Sequence, residues 1–109
     1  MSSVFWDQIT QLEGKALRTL DQGKPFVMLC ITETAAVFEV KESGAIRTIE
    51  RADLEPLYDR LCRTGDLSTD EVKAVAKLSR HISYASALLA QCKGVTATTR
   101  PIRLRYRVR

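Results

Sequence analysis

Between Pro101 and Arg109 the chain alternates strictly: Ile102, Leu104, Tyr106 and Val108 fall on one side of a period of two, and Arg103, Arg105, Arg107 and Arg109 fall on the other. Successive side chains of a strand point to opposite faces, so this order fits a strand with one apolar face on a core and one cationic face in solvent. The rest of the chain must therefore supply both a core for that strand and something to pair with it.

Upstream, the periods indicate a mixed fold. Ser3 followed by Val4, Phe5, Ile9 and Leu12 has helical spacing, with Ser2 or Ser3 as N-cap and Gly14 as a stop. Lys15 to Leu20 could extend that helix through Ala16, Leu17 and Leu20 or form a strand before the turn at residues 21–25, and a short strand is preferred. Phe26 to Ile31 is a continuous apolar run, expected to be a strand buried on both faces. Ala35 to Val40 alternates and pairs with it as a hairpin, and Ala45 to Ile49 completes a meander after the Lys41-Glu42-Ser43-Gly44 turn. From Asp53 the period becomes helical through Leu54, Leu57, Tyr58 and Leu61, with Pro56 placed in the first turn and Gly65 as the stop. Ser68 and Glu71 form a capping box opening a third helix, Thr69 to Leu78. A fourth runs from Ile82 to Cys92. The expectation is an α+β fold, an antiparallel sheet of three to four strands with four short helices, with 1–98 as body and 99–109 as a basic C-terminal strand or arm.

A chain of 109 residues is sized for one domain. Its hydrophobic fraction of 45% and charged fraction of 28% are those of a globular protein rather than a disordered one. The longest apolar run is far short of the roughly 20 residues of a membrane-spanning helix, and no signal peptide opens the chain, so a cytoplasmic protein with no membrane partner is expected. Cys30, Cys62 and Cys92 are odd in number and widely spaced, which favours reduced, structural thiols over disulfides or zinc.

Charge is distributed unevenly. Residues 1–71 hold all 13 acids and 8 Lys/Arg, whereas residues 72–109 hold 9 Lys/Arg and no acid. Such polarity suggests attraction to DNA or RNA, to an acidic protein, or to the acidic half of a second copy. Arginines on one strand face repeat every ~6.6 Å and form a ladder able to follow phosphates, with salt-sensitive binding that carries no sequence information. The preferred site is Arg103, Arg105, Arg107 and Arg109, supported by Arg100, Lys93 and Arg80. Tyr106, between two arginines, is a candidate for stacking on a base. A terminal edge strand charged against aggregation is the plainer alternative.

Helices three and four, separated by Ser79-Arg80-His81, also admit a helix-turn-helix in which Arg80, His81, Ser83 and Ser86 face nucleic acid. Lys73 stands where that motif packs a small apolar residue, and the turn lacks glycine, so an ordinary helical hairpin is preferred. No catalytic site is expected. His81 is the only histidine, has no acid beside it, and is assigned a surface or cap role; no metal or other cofactor is implied. Glu39-Val40-Lys41 matches a nuclease-like triplet but lacks a second acid at the upstream spacing, and is read as a solvated turn entry. Asp53/Glu55 and Asp70/Glu71 sit where helix N-termini attract carboxylates.

The order Gly14-Lys-Ala-Leu-Arg-Thr-Leu, Gly23-Lys-Pro-Phe, a hairpin, Ile49-Glu-Arg-Ala-Asp-Leu, Ser83-Tyr-Ala-Ser-Ala-Leu-Leu-Ala and Arg100-Pro-Ile-Arg-Leu resembles a small accessory domain appended to some restriction-type or HNH endonucleases. The resemblance covers most of the chain from Gly14 onward. It implies association with DNA-processing, mobile-element or defence proteins, and no active site in this chain. The expected function is a non-catalytic nucleic-acid-binding module; the alternative is an interaction protein whose basic strand docks on an acidic surface or a second copy, as a homodimer.

Overall fold

The structure is a computed structural model and describes residues 4–74, 81–99 and 102–107. Its α+β architecture has two antiparallel sheets and four helices among those residues. The N-terminal sheet is a meander of β1 (Ala16–Arg18), β2 (Pro25–Ile31), β3 (Ala35–Val40) and β4 (Ala45–Glu50), in that spatial order. The short strand expected after Gly14 is thus its first member. Phe26, Met28, Ala36, Phe38, Val40 and Ile49 bury the face toward the helices.

The expectation that β2 is buried on both faces is corrected. Its register slips between Met28 and Cys30, a bulge that leaves Leu29 unpaired with β3. Leu29 and Cys30 are exposed. Nothing among the described residues covers the outer face, so the apolar run reflects β-propensity and a bulge rather than two packed layers. Cys30 is accordingly not a core thiol, whereas Cys92 is buried and Cys62 half-buried.

Helix α1 (Val4–Thr10) presents Phe5, Trp6 and Ile9 to the core. Trp6 Nε1–H donates to the Thr32 carbonyl at 2.7 Å, and the Phe5 ring stacks on Tyr58 with centroids 4.5 Å apart. These contacts tie α1 to the β2–β3 turn and to α2 (Arg51–Thr64), which buries Leu54, Leu57 and Leu61. Because α2 starts at Arg51 rather than Asp53, Pro56 lies in its second turn, not its first. Pro56 is exposed, so the carbonyl it leaves without an amide is on the solvent side and the helix continues.

After Gly65 come β5 (Asp66–Ser68) and α3 (Thr69–Lys73), with the capping box in place: Ser68 N–H donates to Glu71 Oε2 at 3.0 Å. The third helix was expected to reach Leu78; residues 75–80 lie outside the described residues. Helix α4 (Ile82–Ala90) is followed by the hairpin of β6 (Val95–Thr99) and β7 (Ile102–Tyr106). Five consecutive α4 residues, Ala85 to Leu89, are buried. A helix buried all round is a central one. Tyr84 packs its ring on Phe26 and Phe38 of the N-terminal sheet at 5.1 and 4.9 Å, while the rest of α4 contacts α2, α3, β6 and β7. One core results, with α4 in its middle.

Candidate nucleic-acid interface

The arginine strand does not end the sheet. The second sheet has the order β5-β7-β6, so β7 is its central strand and the terminal-edge reading is corrected. Leu104 pairs with Leu67 on one side and Ala97 on the other, on the inward face. Leu67 and Leu104 are 1% exposed, and this burial sets the register: a slip of one residue would drive arginines into the core. On the outward face Arg105 stands between Asp66 and Thr96, and Arg103 between Ser68 and Thr98. Arg103, Arg105, Thr96 and Thr98 are exposed. β5 and β6 were not anticipated; a three-residue strand carries too little pattern to show in sequence, and the alternation of Val95 and Ala97 with Thr96 and Thr98 is short and only weakly apolar.

Asp66 organises this face. Arg103 Nε donates to Asp66 Oδ1 at 2.7 Å, and the second guanidinium nitrogen bonds Oδ2, a two-pronged pair across the strands. Those hydrogen bonds, with the nearby charges of Arg103 and Arg105, hold the Asp66 carboxyl below its ordinary range and raise the Arg103 guanidinium. Both partners are solvent-accessible, so the pair contributes little stability; it orients Arg103 and neutralises one charge of the ladder. Arg105 makes no salt bridge among the described residues.

Arg107 follows directly after β7 and is exposed, its N–H donating to the Gly94 carbonyl at 3.0 Å. Lys93 is exposed, its N–H bonded to Gln8 Oε1 at 2.7 Å, which fixes the β6 entry against α1. Lys93, Gly94, Tyr106 and Arg107 line one open cleft of about 390 Å³. The structure therefore brings Lys93 and Arg107 together at one end of the sheet, with Arg105 and Arg103 along it. Arg80, Arg100 and Arg109 lie outside the described residues.

The other candidate residues sit away from the arginine face. Tyr106 is on the inward face, half-buried, with its ring edge-on to Tyr58 at 6.5 Å, and lines the cleft beside Lys93 and Arg107 rather than standing between two arginines on the outward face. Ser86 is fully buried on α4 and cannot face a ligand. Ser83 donates to Asp21 Oδ2 at 3.1 Å, and His81 packs edge-on to Phe38 and Tyr84. In a helix-turn-helix the second helix of the pair enters a groove, and here that helix would be α4. Here the N-terminal sheet packs on α4, so the helix that would read bases is inside the core.

The described residues contain no cluster of three or more His, Cys, Asp or Glu suited to a metal ion, and no described helix is long and apolar enough to cross a membrane. Burial pushes the Cys92 thiol up to about 12, which keeps it protonated and unreactive. Comparison with protein-family models, with curated proteins and with solved structures returns no match, and the functional reading rests on geometry.

Proposed function

We propose that this chain is a non-catalytic, cytoplasmic nucleic-acid-binding module that grips phosphates with the outward face of its second sheet. The observation that carries the reading is the placement of β7: a central strand, locked by Leu104 in the core, displays Arg103 and Arg105 on a solvent face bordered by the hydroxyl-bearing Thr96 and Thr98. Arg105, Arg107 and Lys93 are the phosphate contacts, and Arg103, held by Asp66, sets their edge. With α4 buried, binding is directed to backbone charge and shape rather than base sequence.

The test is fluorescence anisotropy of labelled single- and double-stranded oligonucleotides across a salt series. Affinity should fall steeply with salt, and Arg105→Ala with Arg107→Ala should reduce the log–log slope on duplex DNA by about 2, from roughly 0.9 per lost phosphate contact. Asp66→Asn should tighten binding by releasing Arg103. No binding by the wild type at low salt, or binding untouched by the double variant, refutes the reading. A second reading, docking on an acidic protein or a second copy, is favoured by the β6 edge, an outer strand of five residues with neither charge nor proline to guard it. A dimer in sedimentation experiments, with no oligonucleotide binding, would put that reading first.

A further inference from the structure

A second polar cleft lies away from the arginine face, between the tip of the β3–β4 hairpin and the first turn of α4. It is lined by Val40, Ser43, Ala45, Arg47, His81 and Tyr84 and encloses about 420 Å³, within the range of small-ligand sites. Arg47 pairs with Phe38 across the strands, so its register position faces inward, toward α4 rather than the open side of the sheet. Inward-facing positions of this sheet otherwise carry apolar side chains, and Arg47 makes no ion pair among the described residues. Among the described residues no carboxylate lines the cleft, and the nearby hairpin acids are engaged elsewhere: Glu39 with Lys41 at 3.4 Å, Glu42 with Lys24 at 3.6 Å.

The remaining walls are equally suited to an anion. Ser43 Oγ accepts from Ala45 N–H at 3.2 Å, which leaves its own proton to donate. Tyr84 keeps its ring in the core against Phe26 and Phe38, and its hydroxyl has no hydrogen-bond partner among the described residues. His81, at the N-cap position of α4, lines the cleft, so the positive end of the helix dipole lies beside it. We propose that this cleft binds a phosphate monoester of nucleotide size, with Arg47, Ser43 and Tyr84 on the phosphate and the aromatic faces of His81 and Tyr84 beside the organic group. A guanidinium fork and hydroxyl donors match the oxygens of a phosphate, and the volume exceeds what inorganic phosphate alone would fill. The site is on the first sheet and does not rest on the arginine face of the second.

The probes are AMP and inorganic phosphate, by calorimetry on the full chain, and paired oligonucleotides with 5′-phosphate or 5′-hydroxyl ends, by anisotropy. AMP should bind more tightly than inorganic phosphate, and Arg47→Ala and Tyr84→Phe should each weaken it roughly tenfold or more without lowering the unfolding midpoint. Tyr84→Phe keeps the packed ring, so it remains informative if Arg47→Ala disturbs the β4 edge. Preference for the 5′-phosphate oligonucleotide over both AMP and the 5′-hydroxyl form assigns the cleft to a strand end; AMP binding without that preference assigns it to a free nucleotide. Failure of AMP and of the phosphorylated oligonucleotide to depend on Arg47 overturns the proposal and leaves Arg47 as an inward charge that guards an edge strand. Arg105→Ala with Arg107→Ala should leave AMP binding unchanged, which separates this site from the sheet face.

Discussion

Gly94→Ala is the sharpest probe of how the second sheet is held. Gly94 has φ +80°, and a Cβ there would lie 2.9 Å from the Arg107 carbonyl oxygen and 3.0 Å from Tyr106 Cε1. Two costs add. The left-handed backbone costs an alanine about 1–2 kcal/mol. The clash costs about 1–3 kcal/mol more, because the obstructing carbonyl belongs to a residue whose own N–H is bonded to Gly94 and the neighbouring ring is packed on Tyr58. Gly44, with φ +70° and no heavy atom within 4 Å of such a Cβ, bears only the first cost and is the control. Gly94→Ala should therefore lose about 2–5 kcal/mol and Gly44→Ala about 1–2, or roughly 4 °C of melting temperature per kcal/mol for a domain of this size. Urea unfolding followed through the buried Trp6 fluorescence measures both. Equal losses in the two variants would show that the Gly94 turn and the end of β7 do not approach as closely as described.

Further predictions concern individual groups. Ser86→Ala should stabilise the protein by about 1 kcal/mol in the same unfolding assay, since its buried hydroxyl finds no partner among the described residues and alanine is the better helix former; a loss of that size would reveal a partner. In native protein a thiol reagent should modify exposed Cys30 first and Cys92 only on unfolding, read by mass spectrometry of peptides; early labelling of Cys92 would contradict its burial. Asp66 should titrate below the ordinary carboxylate range by NMR and return toward it in Arg103→Ala, because the guanidinium is the main cause of the depression. A depressed folded value means that its contribution is present above the unfolded value and is lost as pH falls through the folded one, so Arg103→Ala should flatten the acid limb of the stability profile. An Asp66 titration unchanged by the variant would refute the pair.

Much of the fold was legible because the periods are long and clean. The turn clusters bracketed β2, β3 and β4, and the spacing of Leu54, Leu57 and Leu61 located α2 against the core. The misreadings have specific causes. The apolar run of β2 suggested two buried faces because composition cannot show a bulge, and Ser86 looked exposed because a serine on a helix carries no sign of what lies opposite. β5 and β6 escaped because a strand of three residues carries almost no pattern and the alternation of Val95 and Ala97 with threonines is short and weakly apolar.

The alternation from Ile102 to Tyr106 by itself determined that β7 is a strand and that its arginines share one face, since side-chain direction follows from backbone geometry alone. Only the tertiary structure decided that β7 lies between two other strands, that Asp66 cancels the charge of Arg103, that Tyr106 turns inward, and that α4 is covered by the first sheet. These depend on which distant segments meet, Arg103 and Asp66 being 37 residues apart, and such pairings are chosen by burial of the whole apolar surface rather than by any local period.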